Sequence, residues 1–128
     1  RIELGNGNVY QCIRAGDPIT INQALELDQA EGANNYHPTT AEDQPVHGIA
    51  VATLADDKIG FMQVRGVATV KVISGFAAGA NAITTTTEGT LDDVALDDAS
   101  VAGHISGVRP FSITAIDSDG LATVIIGS

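Results

Sequence analysis

An all-β domain is the fold class this sequence predicts: a small β-barrel or β-sandwich, β-tulip-like, with an N-terminal arm and little helix. Three observations carry that expectation. Residues 61–73 alternate apolar and polar side chains with a two-residue period. Two β-rich runs near the C-terminus flank Asp117-Ser118-Asp119-Gly120, as in a hairpin. Helical spacing is scarce throughout. The 128 residues amount to one domain, long enough to bury roughly two-thirds of the unfolded surface in a core of its own.

Residues 1–10 carry two Gly and two Asn and read as an arm, with residues 11–128 as a single β domain. In Arg1-Ile2-Glu3-Leu4 polar and apolar residues alternate as they would in an added edge strand. Gly5-Asn6-Gly7-Asn8 supplies a flexible joint before Val9 and Tyr10 enter the domain. Arg1, Ile2, Glu3, Leu4, Asn8 and Tyr10 are therefore candidate attachment residues.

Short strands are expected at residues 10–14, 19–21 and 24–27. Asn22 with Glu26 beyond it hints at a capped helix over 22–30, but Leu25 and Leu27 keep a strand period. Residues 28–45 are polar, with Gly32, Pro38 and Pro45, and read as a long surface loop. Within it Asn34, Asn35, Tyr36, His37 and Pro38 form a candidate second contact.

A strand over 47–53 precedes the long one at 61–73. There Met62, Val64, Ala68, Val70 and Val72 should face the core, with Gln63, Arg65, Thr69 and Lys71 outside. Gly66 interrupts the run and marks a bulge or a close backbone approach. Strands at 82–86 and 101–108 follow, with one or two helical turns allowed at 92–99. In the closing hairpin, 111–116 and 121–126, Ile113, Val124 and Ile126 should be buried. Ala15-Gly16-Asp17-Pro18-Ile19-Thr20 resembles Ala78-Gly79-Ala80-Asn81-Ala82-Ile83-Thr84, so residues 15–73 and 78–128 are candidate related halves.

Six basic residues against sixteen acidic ones leave a net charge of −10. That sign disfavours nucleic acid, whose affinity comes largely from phosphate neutralisation, and an anionic membrane surface. No apolar run approaches the length of a membrane span. Cys12 is the sole cysteine, so no intramolecular disulfide can form, and its apolar strand predicts a buried thiol. Only 17% of residues are charged, which points to a surface partly covered by something other than water.

No constellation for chemistry emerges. His37, His47 and His104 have no metal-ligand spacing, and the chain has no second Cys. The pairs Glu42-Asp43, Asp56-Asp57, Asp92-Asp93 and Asp97-Asp98 read as solvated turns, and Asp117-x-Asp119-Gly120 lacks the distal Glu of a calcium loop. A Gly-x-Ser-x-Gly elbow and a phosphate-cradling loop are both missing. Lys58, the lysine in a turn, lacks the Met or Ala neighbours of a lipoyl- or biotinyl-carrier domain. The expectation is a protein without catalytic residues, cofactor or metal.

Four segments in order carry a family resemblance: Ala15-Gly16-Asp17-Pro18-Ile19, Ala24-Leu25-Glu26-Leu27-Asp28, Val46-His47-Gly48-Ile49-Ala50, and Val64-Arg65-Gly66-Val67-Ala68-Thr69-Val70. Together with the later Ala78-Gly79 stretch and the β-run to Ile126, they resemble the decoration (cement) proteins of tailed-phage capsids over about residues 10–126. The resemblance implies a non-enzymatic virion protein on the outer surface of the head. Its implied partners are the major capsid protein and itself, as a homotrimer, with no nucleic acid and no membrane. A fibre, tail or baseplate module is the alternative within virions. The 28–45 loop is longer than the family pattern, and no family-wide binding residue transfers.

Overall fold

A computed structural model describes residues 2–3, 7–27, 35–40, 46–76, 78–79, 81–94 and 111–126. Ten strands make up the regular structure of these residues, with no helix among them. They are β1 (Ile2–Glu3), β2 (Val9–Ala15), β3 (Ala24–Leu27), β4 (Asn35–Pro38) and β5 (Gly48–Ala50), then β6 (Ile59–Lys71), β7 (Asn81–Thr84), β8 (Leu91–Val94), β9 (Phe111–Ser112) and β10 (Leu121–Ile126). The all-β class is as the alternation predicts.

β6 organises the molecule. Its first half lies between β2 and β5: Gln63 is opposite Tyr10 on one side and Ile49 on the other. β5 continues to β3, β3 to β4, and β4 pairs in parallel with β2, so the hydrogen-bonded circuit returns to its start. The second half of β6 pairs with β10, whose other neighbour is β9, followed by β7 and β8. β8 then comes back to the residues after β6. Val72 bridges Leu91, and the Ile73 N–H donates to the Leu91 carbonyl at 3.0 Å.

Each circuit encloses a core. Ile13, Ala15, Ile19, Leu25, Tyr36, Ala50 and Met62 fill the first. Ala68, Val70, Val72, Phe76, Leu91, Val124 and Ile126 belong to the second, joined by Ala24 and Ile49. Ala24 and Leu25 are neighbours on β3 yet belong to different cores, as do Ile49 and Ala50 on β5. Successive strand side chains point to opposite faces, so β3 and β5 form the wall between the cores. Burial on both faces removes the polar alternation that marks a half-buried strand.

Several sequence expectations need correction. Residues 35–38, expected in a loop, are a strand held on both sides: Glu26 pairs with His37, Leu27 with Tyr36, and Arg14 with Asn35. Pro38 stands at the strand end, where its missing N–H costs least. The helix considered over 22–30 is absent from 22–27. Asn22 takes a left-handed φ of 73° and β3 follows. Residues 91–94 are likewise strand, not helical turn. The strand expected at 101–108 lies outside the described residues, as do 28–34 and 41–45 of the expected loop.

On β6 the inward set is as expected for Met62, Ala68 and Val70, with Val72 buried just beyond and Val64 partly buried. Gln63 departs from its expected place: it is only 5% exposed. Val9 pairs with Arg65 but Tyr10 with Gln63, so Val64 is the extra residue of a bulge. The Gln63 amide folds over that bulge, Nε2 donating to the carbonyls of Arg65 at 3.1 Å and Val67 at 2.9 Å. These two bonds hold the amide against its own strand and account for its burial. Gly66 sits inside this loop of hydrogen bonds with φ of +107°, and a Cβ there would collide with the Asn8 side chain. The close-approach reading of Gly66 holds, and the bulge lies two residues before it, at Val64.

The C-terminal hairpin forms with a shorter ladder than its sequence suggests. Phe111 and Ser112 pair with Ile125 and Val124, after which Ile113 and Thr114 both donate to the Thr123 carbonyl. This irregularity leaves Ile113 at 42% exposure, against the expected burial. Val124 and Ile126 are buried as expected. Asp117 closes the turn itself, its Oδ1 accepting from the amides of Asp119 at 2.8 Å and Leu121 at 3.0 Å. Asp117→Ala is therefore expected to cost about 0.5–1.5 kcal/mol, the usual range for a lost net hydrogen bond. Calcium addition should leave the melting temperature of the wild-type chain unchanged; a calcium-dependent rise would reassign this turn.

Candidate interaction surface

The candidate residues from the sequence scatter. Ile2 and Glu3 pair with Tyr10 and Val9 of their own chain, so β1 completes an edge of β2. Asn8 and Tyr10 follow, with Asn8 Nδ2 donating to the Tyr10 hydroxyl at 3.4 Å. Arg1, Leu4 and Asn34 lie outside the described residues. In β4, Tyr36 and Pro38 are buried, and Gln11 Nε2 donates to the Tyr36 hydroxyl at 3.2 Å. Asn35 and His37 alternate with them and are partly exposed. A partner reaching β4 would meet Asn35 and His37, not the aromatic ring.

The titratable groups do not converge. His37 Nε2 lies 3.3 Å from Glu26 Oε1, across the β3–β4 ladder. His47 instead meets Tyr36, with ring centroids 6.1 Å apart in edge-on geometry. His104, Asp97 and Asp98 lie outside the described residues. Cys12 is exposed on β2 opposite Phe61, correcting the expected buried thiol: it takes the outward position of the alternation. Lys58 sits on the Ala55–Lys58 turn, and Arg14 meets Asp57 at 3.4 Å in an exposed ion pair. Among the described residues, no group of three His, Cys, Asp or Glu could hold a metal ion.

His47 offers a measurable signature. The Leu27 N–H donates to its Nδ1 at 3.2 Å, which requires that nitrogen to be unprotonated. Partial desolvation of the ring, which keeps one side in water, lowers its pKa below the ordinary 6.5. The unfolded chain therefore binds more protons than the folded one as pH drops through 6.5, and stability falls with acidification. We expect His47→Gln to flatten this part of the stability–pH curve between about pH 7 and 5. Denaturant midpoints across that range check it, since the Glu26–His37 pair is common to both proteins.

Another surface emerges that the sequence reading did not assemble. Outward from β6 project Arg65, Val67, Thr69 and Lys71, with Val67 opposite Ile125, Thr69 opposite Thr123, and Lys71 opposite Leu121. Beside Val67 and Thr69 opens a groove of about 260 Å³, lined also by Asn8, Tyr10, Ile21 and Val51. The Lys71 N–H donates to the Asn22 carbonyl at 2.8 Å, fastening the turn that carries Ile21 beside the strand. Val67 itself is the signal that sequence alone offered, an apolar residue on the face assigned to solvent.

No protein-family model matches the chain, and no curated protein does either. Among solved structures, the head fiber gp8.5 N base of bacteriophage phi29 superposes with a TM-score of 0.65 at 17% identity, covering 94% of each chain. The likeness is one of fold. It runs nearly end to end in both molecules, so it includes both circuits and the β6 they share.

Proposed function

We propose that this chain is a structural virion protein that attaches to the outer surface of a tailed-phage head and stabilises contacts between major capsid subunits. The observation that carries the reading is the near-complete fold likeness to a phage head fiber base. The ordered resemblance of residues 10–126 to capsid decoration proteins points the same way, as does a chain of low charge density with a partly apolar sheet face. In this reading the chain is not an enzyme, needs no cofactor, and partners with the major capsid protein and with itself as a homotrimer. The same likeness favours a second reading, that the domain is the root of a fibre standing on the head.

Heads of the encoding phage assembled without this protein provide the test. Added wild-type chain is expected to cosediment with them saturably and to raise the temperature at which they release DNA. Failure to bind at micromolar concentrations would overturn both readings. Saturable binding without any gain in head stability would favour the fibre root.

A further inference from the structure

We infer that the outer face of β6 and β10, with the groove beside it, is the docking surface, and that its occupant is a protein surface with an apolar centre rimmed by carboxylates. The inference deepens the head-binding reading and rests on it for the identity of the partner.

Three observations converge. Ile21, Val51, Val67, Ile113 and Ile125 all lie on or beside this face, and they are five of the seven exposed large apolar side chains among the described residues. Val67 is 53% exposed and Ile125 40%, although they are direct cross-strand neighbours that would shield each other. An apolar pair left open on the outer face of a ladder marks a contact surface more than a scattered Val or Ile does.

Charge supplies the second observation. The chain is acidic by sixteen residues to six, so each cation has carboxylates in excess to pair with. Arg14 does so, with Asp57. Arg65 and Lys71, at the two ends of the face, have no ion pair among the described residues. Six residue steps along the strand set them about 20 Å apart. Two uncommitted cations bracketing Val67 and Thr69 on a chain of net charge −10 complement an acidic rim.

The groove is the third. Its lining mixes polar groups, from Asn8, Tyr10 and Asn22, with the exposed apolar side chains of Ile21, Val51 and Val67. Apolar contacts at the centre of a patch, flanked by polar groups at its rim, are the usual layout of an interface. A phosphate backbone would leave the apolar centre, Val67 and Ile125, unmatched.

Cosedimentation with heads assembled without this protein reads the inference out. Val67→Asp with Ile125→Asp should weaken binding at least about tenfold, as loss of a central apolar contact does. Arg65→Glu with Lys71→Glu should weaken it comparably and flatten its dependence on NaCl. Ile59→Asp, at the opposite end of β6, should bind as wild type. All the substituted side chains lie on the outer side of the strands, and circular dichroism verifies the fold. If both double variants bind as wild type, the inference is wrong. Should wild-type chain fail to bind heads, the head reading falls and the face is judged separately. A photoreactive residue at position 67 in infected cells must then give an adduct on an acid-rich protein segment that disappears in the Arg65→Glu, Lys71→Glu background. An adduct with nucleic acid or with a second copy of this chain, or no adduct, would overturn it.

Discussion

Replacing Phe76 by Ala is expected to lower the unfolding free energy by about 3–5 kcal/mol, the range for truncating a buried aromatic ring. Phe76 is 2% exposed and is the largest fully buried side chain among the described residues. It follows the Ser74-Gly75 turn and drops into the second core against strands from both ends of the chain. Its carbonyl also accepts from the Ile116 N–H at 3.1 Å, so the ring and the backbone tie this turn to the C-terminal hairpin. Marginal stability of about 5–15 kcal/mol makes such a loss a large fraction of the whole. For a domain of this length a melting temperature lower by roughly 10–20 °C should follow. Phe76→Leu should recover a good part of it, because most of the volume returns. A Phe76→Ala protein melting within a few degrees of wild type would mean the second core is not packed around this ring.

Gly66→Ala is the second large effect, at about 2–3 kcal/mol, and its cause is different. A φ of +107° is open to Gly but strained for any residue with a Cβ, a cost of roughly 1–3 kcal/mol. The added Cβ would also strike Asn8 Oδ1 and come within 3.1 Å of Asn8 Cα. The two parts separate in a double-mutant cycle. In an Asn8→Gly background the side-chain collision is gone while the backbone strain persists, so Gly66→Ala should cost less there by a measurable coupling energy. Urea denaturation of the four proteins reads it. Equal costs in both backgrounds would assign the whole effect to φ and free Asn8 from any role at the bulge. Because Gln63 bridges the same bulge and Val67 follows it, the Gly66 variant should also disturb the proposed docking face.

What was legible in the sequence is the part governed by local rules. The alternation of β6 placed Met62, Ala68 and Val70 inward because one face of that strand meets a core and the other meets solvent. Gly66 was readable because a break in alternation at a glycine has few physical meanings. Asp117-Ser118-Asp119-Gly120 was readable because the turn is closed by its own first side chain and by Gly120 at φ 79°.

The misreadings share one reason: the deciding partner is distant in sequence. Residues 35–38 look like loop, with Asn35 and Pro38, and are a strand because β3 and β2 each offer them a hydrogen-bonding edge. Gln63 looks solvent-facing and is buried because pairing with the distant β2 puts a bulge at Val64, over which its amide folds. Ile113 looks like core and is exposed because the β9–β10 ladder breaks beside Thr123. Cys12 looks buried and is exposed because which face of β2 turns inward depends on where β6 lies.

By itself, then, the sequence determined an all-β class, the turn chemistry, the inward face of its longest strand and a charge balance opposed to phosphate partners. Those follow from side-chain period, turn residues and net charge, none of which needs a neighbour. Only the tertiary structure decided that β6 serves two cores, that β3 and β5 divide them, and that Arg65, Val67, Lys71 and Ile125 meet on one face. Hydrogen-bond register between distant strands sets those outcomes, and register is a property of pairs that no single segment encodes.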